Sequence, residues 1–129
     1  MHRGSCLCGA VTFQVAGDLP PPSACHCSLC RKWTGHYEVS TDVARSALTI
    51  DGSESIKWYQ SSAKVRRGFC ANCGASLFFD PLDQAKHNWI GVSMGAFAAP
   101  THTQLKMHIF VADKGDYYEI ADGLPQNQQ

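Results

Sequence analysis

Seven cysteines in three tight groups constrain this chain more than any other feature. Cys6 and Cys8 stand in C-L-C-G, Cys25, Cys27 and Cys30 in C-H-C-S-L-C, and Cys70 and Cys73 in C-A-N-C-G. Sulfurs one to four residues apart can bend round a single ion, and zinc takes four such donors in a tetrahedron. Disulfide stapling is a poor alternative. A chain of 129 residues hides roughly two thirds of the surface its unfolded form exposes, so it can build a core without cross-links. An odd cysteine count also leaves one thiol over. The opening MHRGSCLCGA shows no basic region followed by an apolar stretch, so a cytoplasmic setting is expected, where thiols stay reduced.

Counting donors divides the cysteines into two sites. Cys6, Cys8, Cys70 and Cys73 are expected to close one tetrahedral, structural zinc site that ties the start of the chain to a distant hairpin. Gly9 and Gly74 each follow the second cysteine of a pair, and they suit a left-handed turn that aims backbone N–H groups at the sulfurs. Cys25, Cys27 and Cys30 supply three corners of a second tetrahedron, one donor short. Sites with three protein ligands bind water or substrate, whereas four-ligand sites are scaffolds. Chemistry is therefore expected at the middle cluster, with these three cysteines on a catalytic zinc. Four thiolates on one zinc leave two negative charges and three leave one. Arg31 and Lys32 follow the middle cluster and Arg66 and Arg67 precede the last pair, where they could offset that charge or simply be solvated.

Other readings of these residues are weaker. Some cysteines could be buried apolar fillers, but random placement rarely makes three short-spaced groups. A redox role for C-A-N-C needs a helix after it, and the following G-A-S-L-F-F reads as turn then strand. His26 could complete the second site, relay protons or point outward; with sulfurs aimed at the metal on both sides, direct ligation is strained. His36 and His108 read as polar or core residues.

The rest of the chain reads as one β domain over residues 1–129. Val11, Phe13 and Val15 alternate with polar neighbours at the period of a half-buried strand. Short β-branched or aromatic runs recur at 47–50, 56–60, 65–69, 76–79, 89–94 and 107–112, mostly separated by Gly, Pro, Asp or Ser. A mostly β fold of antiparallel sheets with little helix is expected, with one short helical turn possible near Ala44 and Arg45. Phe13, Trp58, Phe69, Phe78, Phe79 and Trp89 are expected in its core. The polar tail after Leu124 is expected to fray. The longest apolar stretch, Trp89 to Ala99, is far short of the ~20 residues of a membrane helix. Eleven Lys plus Arg balance eleven Asp plus Glu, which leaves no positive field for a nucleic-acid partner.

Three segments, G-S-C-L-C-G-A-V-T-F, C-H-C-S-L-C-R-K-W-T-G and R-R-G-F-C-A-N-C-G-A-S-L, together with H-I-F-V at His108 and A-D-G-L-P at Ala121, resemble the glutathione-dependent formaldehyde-activating enzyme family, also represented in centromere protein V. The resemblance spans nearly the whole chain. It implies a zinc-bearing β-tent fold, with Cys6, Cys8, Cys70 and Cys73 on a structural metal and Cys25, Cys27 and Cys30 on a catalytic one. It further implies a carbon–sulfur lyase or synthase acting on a thiol–aldehyde adduct like S-hydroxymethylglutathione. Tyr117 stands where members of the family commonly carry Trp, and the chain is shorter than the formaldehyde–glutathione enzyme.

A mechanism is expected from these parts. A small-molecule thiol such as glutathione takes the fourth position on the Cys25, Cys27 and Cys30 zinc, loses its proton and adds to an aldehyde, giving a hemithioacetal. Three thiolates make the metal a poor Lewis acid, so thiol handling is expected over water activation. Arg31 and Lys32 are candidates to steer substrate carboxylates. The competing expectation is a non-enzymatic zinc module that binds a protein or nucleic acid.

Overall fold

The period-two runs become strands, and the computed structural model describes all 129 residues. In chain order the elements are β1 (His2–Ser5), β2 (Thr12–Val15), β3 (Ser23–Cys25), α1 (Ser28–Thr34), β4 (Glu38–Ala44), β5 (Leu48–Asp51), β6 (Ile56–Gln60), β7 (Val65–Cys70), β8 (Ser76–Pro81), β9 (Trp89–Ser93) and β10 (Met107–Ile109). A small sheet has the order β1-β2-β5 and a larger one the order β10-β3-β4-β9-β8-β7-β6. The turn expected near Ala44 is a 3-10 turn over Arg45–Ala47. No helix is long and apolar enough to cross a membrane.

Strand pairing is mostly antiparallel, as expected, with one parallel pair of strands. β10 runs parallel to β3, with Ile109 opposite Cys25. A parallel partner needs a long connection, and the segment between Ser93 and Met107 supplies it as the chain leaves β9 and returns to the far edge of the sheet. The tail also differs from expectation. Asn127 N–H donates to the His108 carbonyl at 2.9 Å and His108 N–H to the Pro125 carbonyl at 2.9 Å, so the tail forms a parallel bridge to β10 rather than fraying. The reason is backbone satisfaction: β10 would otherwise be an edge with unpaired donors and acceptors.

The two sheets meet in an aromatic core. Phe13 is 2% exposed and meets Phe78 and Phe97 edge-on, at centroid distances of 5.6 and 5.3 Å. Val11, Val15, Val43, Leu77 and Val92 fill the space around it. Phe13→Ala is expected to cost about 3–5 kcal/mol, because the cavity cannot collapse between two sheets. A fall in the urea midpoint with an unchanged slope would report it. The expected core list was too inclusive. Phe69, Phe79 and Trp89 are only half-buried and lie outside that cluster, Phe79 and Trp89 stacking on each other at 6.1 Å. The alternation of β8 decides this: Phe78 faces the small sheet, so Phe79 faces away from it.

Arg66 is not a partner for the thiolates either. Its Nε lies 2.8 Å from Asp80, which also takes Arg45 at 2.7 Å. Asp80 is itself buried, so the two cations on it avoid the cost of an unpaired internal charge.

Candidate functional site

The first cluster forms where two turns face each other. Cys6 follows β1 and Cys8 lies in the loop after it, while Cys70 ends β7 and Cys73 lies in the tight turn into β8. Their four sulfurs all lie within 4.8 Å of one another. Cys6 Sγ is 3.7 Å from Cys8 Sγ, and Cys8 Sγ is 3.8 Å from Cys70 Sγ. A sulfur tetrahedron with metal–sulfur bonds of ~2.3 Å has edges of about 3.8 Å, so the spacing suits a metal ion held by four thiolates. A disulfide would need ~2.05 Å, and all seven cysteines are free. Gly9 and Gly74 have φ of 83° and 79°, the left-handed conformation expected of them. N–H groups point at the sulfurs: Val11 N–H donates to Cys6 at 3.3 Å and Asn72 Nδ2 to Cys8 at 3.1 Å. The Ala75 backbone N–H heads the interactions that pull the Cys73 thiol down to about 6.

The second cluster is built on a helix start that sequence reasoning left unplaced. Cys25 ends β3, Cys27 is the N-cap of α1, and Cys30 lies in its first turn. Cys30 N–H donates to the Cys27 sulfur at 3.3 Å, a capping contact of the kind Ser or Asp makes. Gly35, at φ 87°, ends the helix by donating to the Arg31 carbonyl. The three sulfurs lie within 4.8 Å of one another. Hydrogen bonds from Cys25 and Cys30 hold the Cys27 thiol well below its ordinary range.

His26 sits between two of these cysteines, yet both its nitrogens are taken. Nε2 is 2.8 Å from His108 Nδ1, and Nδ1 bonds the Tyr118 hydroxyl. His108 Nε2 in turn lies 2.7 Å from Asp122. No atom of His26 is left for a metal, and the side chain is fully buried rather than pointing outward. Desolvation holds its pKa below the usual histidine value. The network anchors the C-terminal segment against β3.

A cavity of about 480 Å³ opens beside the three cysteines. Arg67, Glu38, Asp42 and Phe79 share its lining with them. Arg67 Nη2 approaches Cys30 Sγ at 3.6 Å. The cation thus serves the middle cluster, although in sequence it stands three residues before Cys70. Strand register explains the position: Arg67 lies opposite Phe79 on β8, and so on the cavity face. Arg31 and Lys32, expected to steer substrate, do not line this cavity. Glu38 lies opposite Cys25 in the sheet, and Ser93 Oγ donates to its carboxylate at 2.9 Å. Burial pushes the Glu38 and Asp42 carboxyls up. Sequence reasoning missed both acids. The signal was present in E-V-S-T-D-V-A, where Glu38, Ser40 and Asp42 alternate with Val39, Thr41 and Val43.

Fold and site together define a β-rich protein with two separate cysteine clusters, each able to coordinate a metal ion. Residues 1–113 match the family described as glutathione-dependent formaldehyde-activating enzyme. A Halomonas elongata protein named "Putative glutathione-dependent formaldehyde-activating enzyme" is 31% identical over 128 residues, covering 92% of this chain and 80% of that protein. A Schizosaccharomyces pombe protein described as an uncharacterized lyase is 26% identical over 121 residues, covering 94% of this chain and 86% of that one. A crystal structure of a Rhodobacter sphaeroides protein shares the fold, with a TM-score of 0.63 at 22% identity over 81% of this chain and 99% of that one. This chain belongs to the glutathione-dependent formaldehyde-activating enzyme family.

Proposed function

We propose that the chain is a zinc-dependent carbon–sulfur lyase or synthase acting on a thiol–aldehyde adduct of the S-hydroxymethylglutathione kind, with glutathione and formaldehyde as the representative pair. The observation that carries this reading is the cavity of about 480 Å³ lined by three free cysteines and by no fourth cysteine or histidine. In this reading Cys25, Cys27 and Cys30 hold a catalytic zinc, and Cys6, Cys8, Cys70 and Cys73 hold a structural one. Zinc, when bound, supplies stabilisation of a thiolate at neutral pH, where a free thiol of pKa ~8.5 is only a few per cent ionised.

The chain's own residues do the remaining work. The turn from β3 into α1 fixes three sulfurs on one side of the cavity. Arg67 offsets negative charge at Cys30 from 3.6 Å. Phe79 and Trp89 contribute apolar surface to the cavity lining. Glu38 and Asp42, whose carboxyls burial pushes up, also line the cavity, Glu38 directly beside Cys25 in the sheet. The same reading takes residues 1–129 as one unit with a β-tent arrangement and a cytoplasmic setting. Its partners are a small thiol and an aldehyde, with no nucleic acid.

Two measurements test it together. Metal analysis is expected to find two zinc ions per chain, and NMR exchange between glutathione and formaldehyde is expected to run well above its rate in buffer. Two bound ions with exchange no faster than in buffer would instead favour a non-enzymatic zinc module.

A further inference from the structure

Arg67 has more hydrogen-bonding capacity than the protein uses. Its side chain is held in β7 at 3% residue exposure, and a guanidinium carries five N–H donors. One, on Nε, goes to Ser61 Oγ at 3.1 Å, and one on Nη2 to Cys30 Sγ at 3.6 Å. The remaining three have no protein partner, and Arg67 takes part in none of the ion pairs of the chain. Phe79 lies under the guanidinium at 5.1 Å and Trp33 at 6.0 Å, so aromatic faces fix its plane. Nη1 has no protein partner and is not sealed off from solvent, so its donors are open to a ligand. The cavity that Arg67 lines is where such a ligand would sit.

Resting on the thiol–aldehyde reading above, we infer that Arg67 is the oxyanion donor of this site. In the forward direction the substrate thiolate attacks the carbonyl carbon, a carbon–sulfur bond forms, and the carbonyl π pair moves onto oxygen. The alkoxide so formed sits two bonds from the attacking sulfur. Arg67 N–H groups, held beside the cysteine cluster, hydrogen-bond that oxygen until it takes up the proton the thiol released. The net change is thiol plus aldehyde to hemithioacetal, with nothing oxidised or reduced. In reverse, Arg67 holds the same oxygen as the carbon–sulfur bond breaks.

The competing use of Arg67 is to hold a permanent substrate carboxylate. Charge in the cavity argues against it. Glu38, Asp42 and Asp113 line the space along with Arg67 and Lys106, so a permanent anion would have to sit among acidic side chains. An oxygen that becomes charged only during the reaction avoids that repulsion in the ground state, which is the condition for a gain in rate rather than in affinity.

The test uses the cobalt-substituted protein and two probes, ethanethiol and thioacetate. Thioacetate carries an oxygen two bonds from its sulfur, as the alkoxide does. Arg67→Gln is expected to lower the ratio of thioacetate to ethanethiol affinity at least about tenfold. In the zinc protein the same change is expected to lower kcat for thiol–formaldehyde exchange by about 10²–10³-fold, with KM for the thiol nearly unchanged. Arg67→Lys, which keeps charge but not the fork, should fall between and serves if the Gln variant does not fold. Equal loss of both probes, or an unchanged kcat, overturns the assignment and leaves Arg67 as support for Cys30. A rise in KM confined to 3-mercaptopropionate, with kcat unchanged, overturns it in favour of a carboxylate clamp. Failure of the wild type to bind either probe removes the thiol site itself, and this inference with it.

Discussion

Cys73→Ser is expected to abolish cooperative unfolding, or to leave the protein insoluble. Cys73 is only half-buried, so exchanging sulfur for oxygen there removes little packing. What it removes is one corner of a four-sulfur cluster that joins the loop after β1 to the β7–β8 turn, and so the small sheet to the large one. Structural zinc is worth about 10–16 kcal/mol in finger peptides, against a net stability of about 5–15 kcal/mol for an ordinary domain. A serine hydroxyl stays protonated at neutral pH and is a poor zinc donor, so most of that contribution should go. Thermal melting with metal analysis reads the result. A soluble variant that keeps its melting temperature and its full metal content would sink the structural-site assignment.

Cys27→Ser is expected to do the opposite: to abolish activity while sparing the fold. Cys27 caps α1 by accepting from Cys30 N–H, and serine is among the best residues for that position. The helix should therefore survive, with a melting temperature close to that of the parent chain. The middle cluster drops to two sulfurs. One zinc per chain should be lost or become exchangeable, and thiol–formaldehyde exchange should return to its rate in buffer. Retained exchange with the second metal gone would show that the reaction does not use this cluster. The contrast between the two variants is the sharper result, since one ligand set is expected to govern folding and the other chemistry.

Much of the site was legible in the cysteines themselves. Spacing brought out the two outer pairs as matched turns, because a short C-x-C or C-x-x-C segment followed by glycine has few ways to place both sulfurs on one ion. The strands were legible as alternation in β2 and as β-branched runs elsewhere. The parallel pairing of β10 was not, since a three-residue strand does not encode its partner. The paired tail was equally hidden: Gln126 and Asn127 have polar side chains, but it is their backbone that pairs with β10.

The charged groups divide in the same way. Local sequence placed Arg66 and Arg67 together beside Cys70, yet consecutive residues of a strand point to opposite faces. Register sent Arg66 to Asp80 and Arg67 to Cys30. His26 lies next to two cysteines in the chain, but its partners His108 and Tyr118 arrive from more than eighty residues away. Donor number and spacing are local quantities, so the chain carries them before it folds. Which cation faces which sulfur, and where a cavity opens, depends on the register between distant strands, and only the packed sheets decide that.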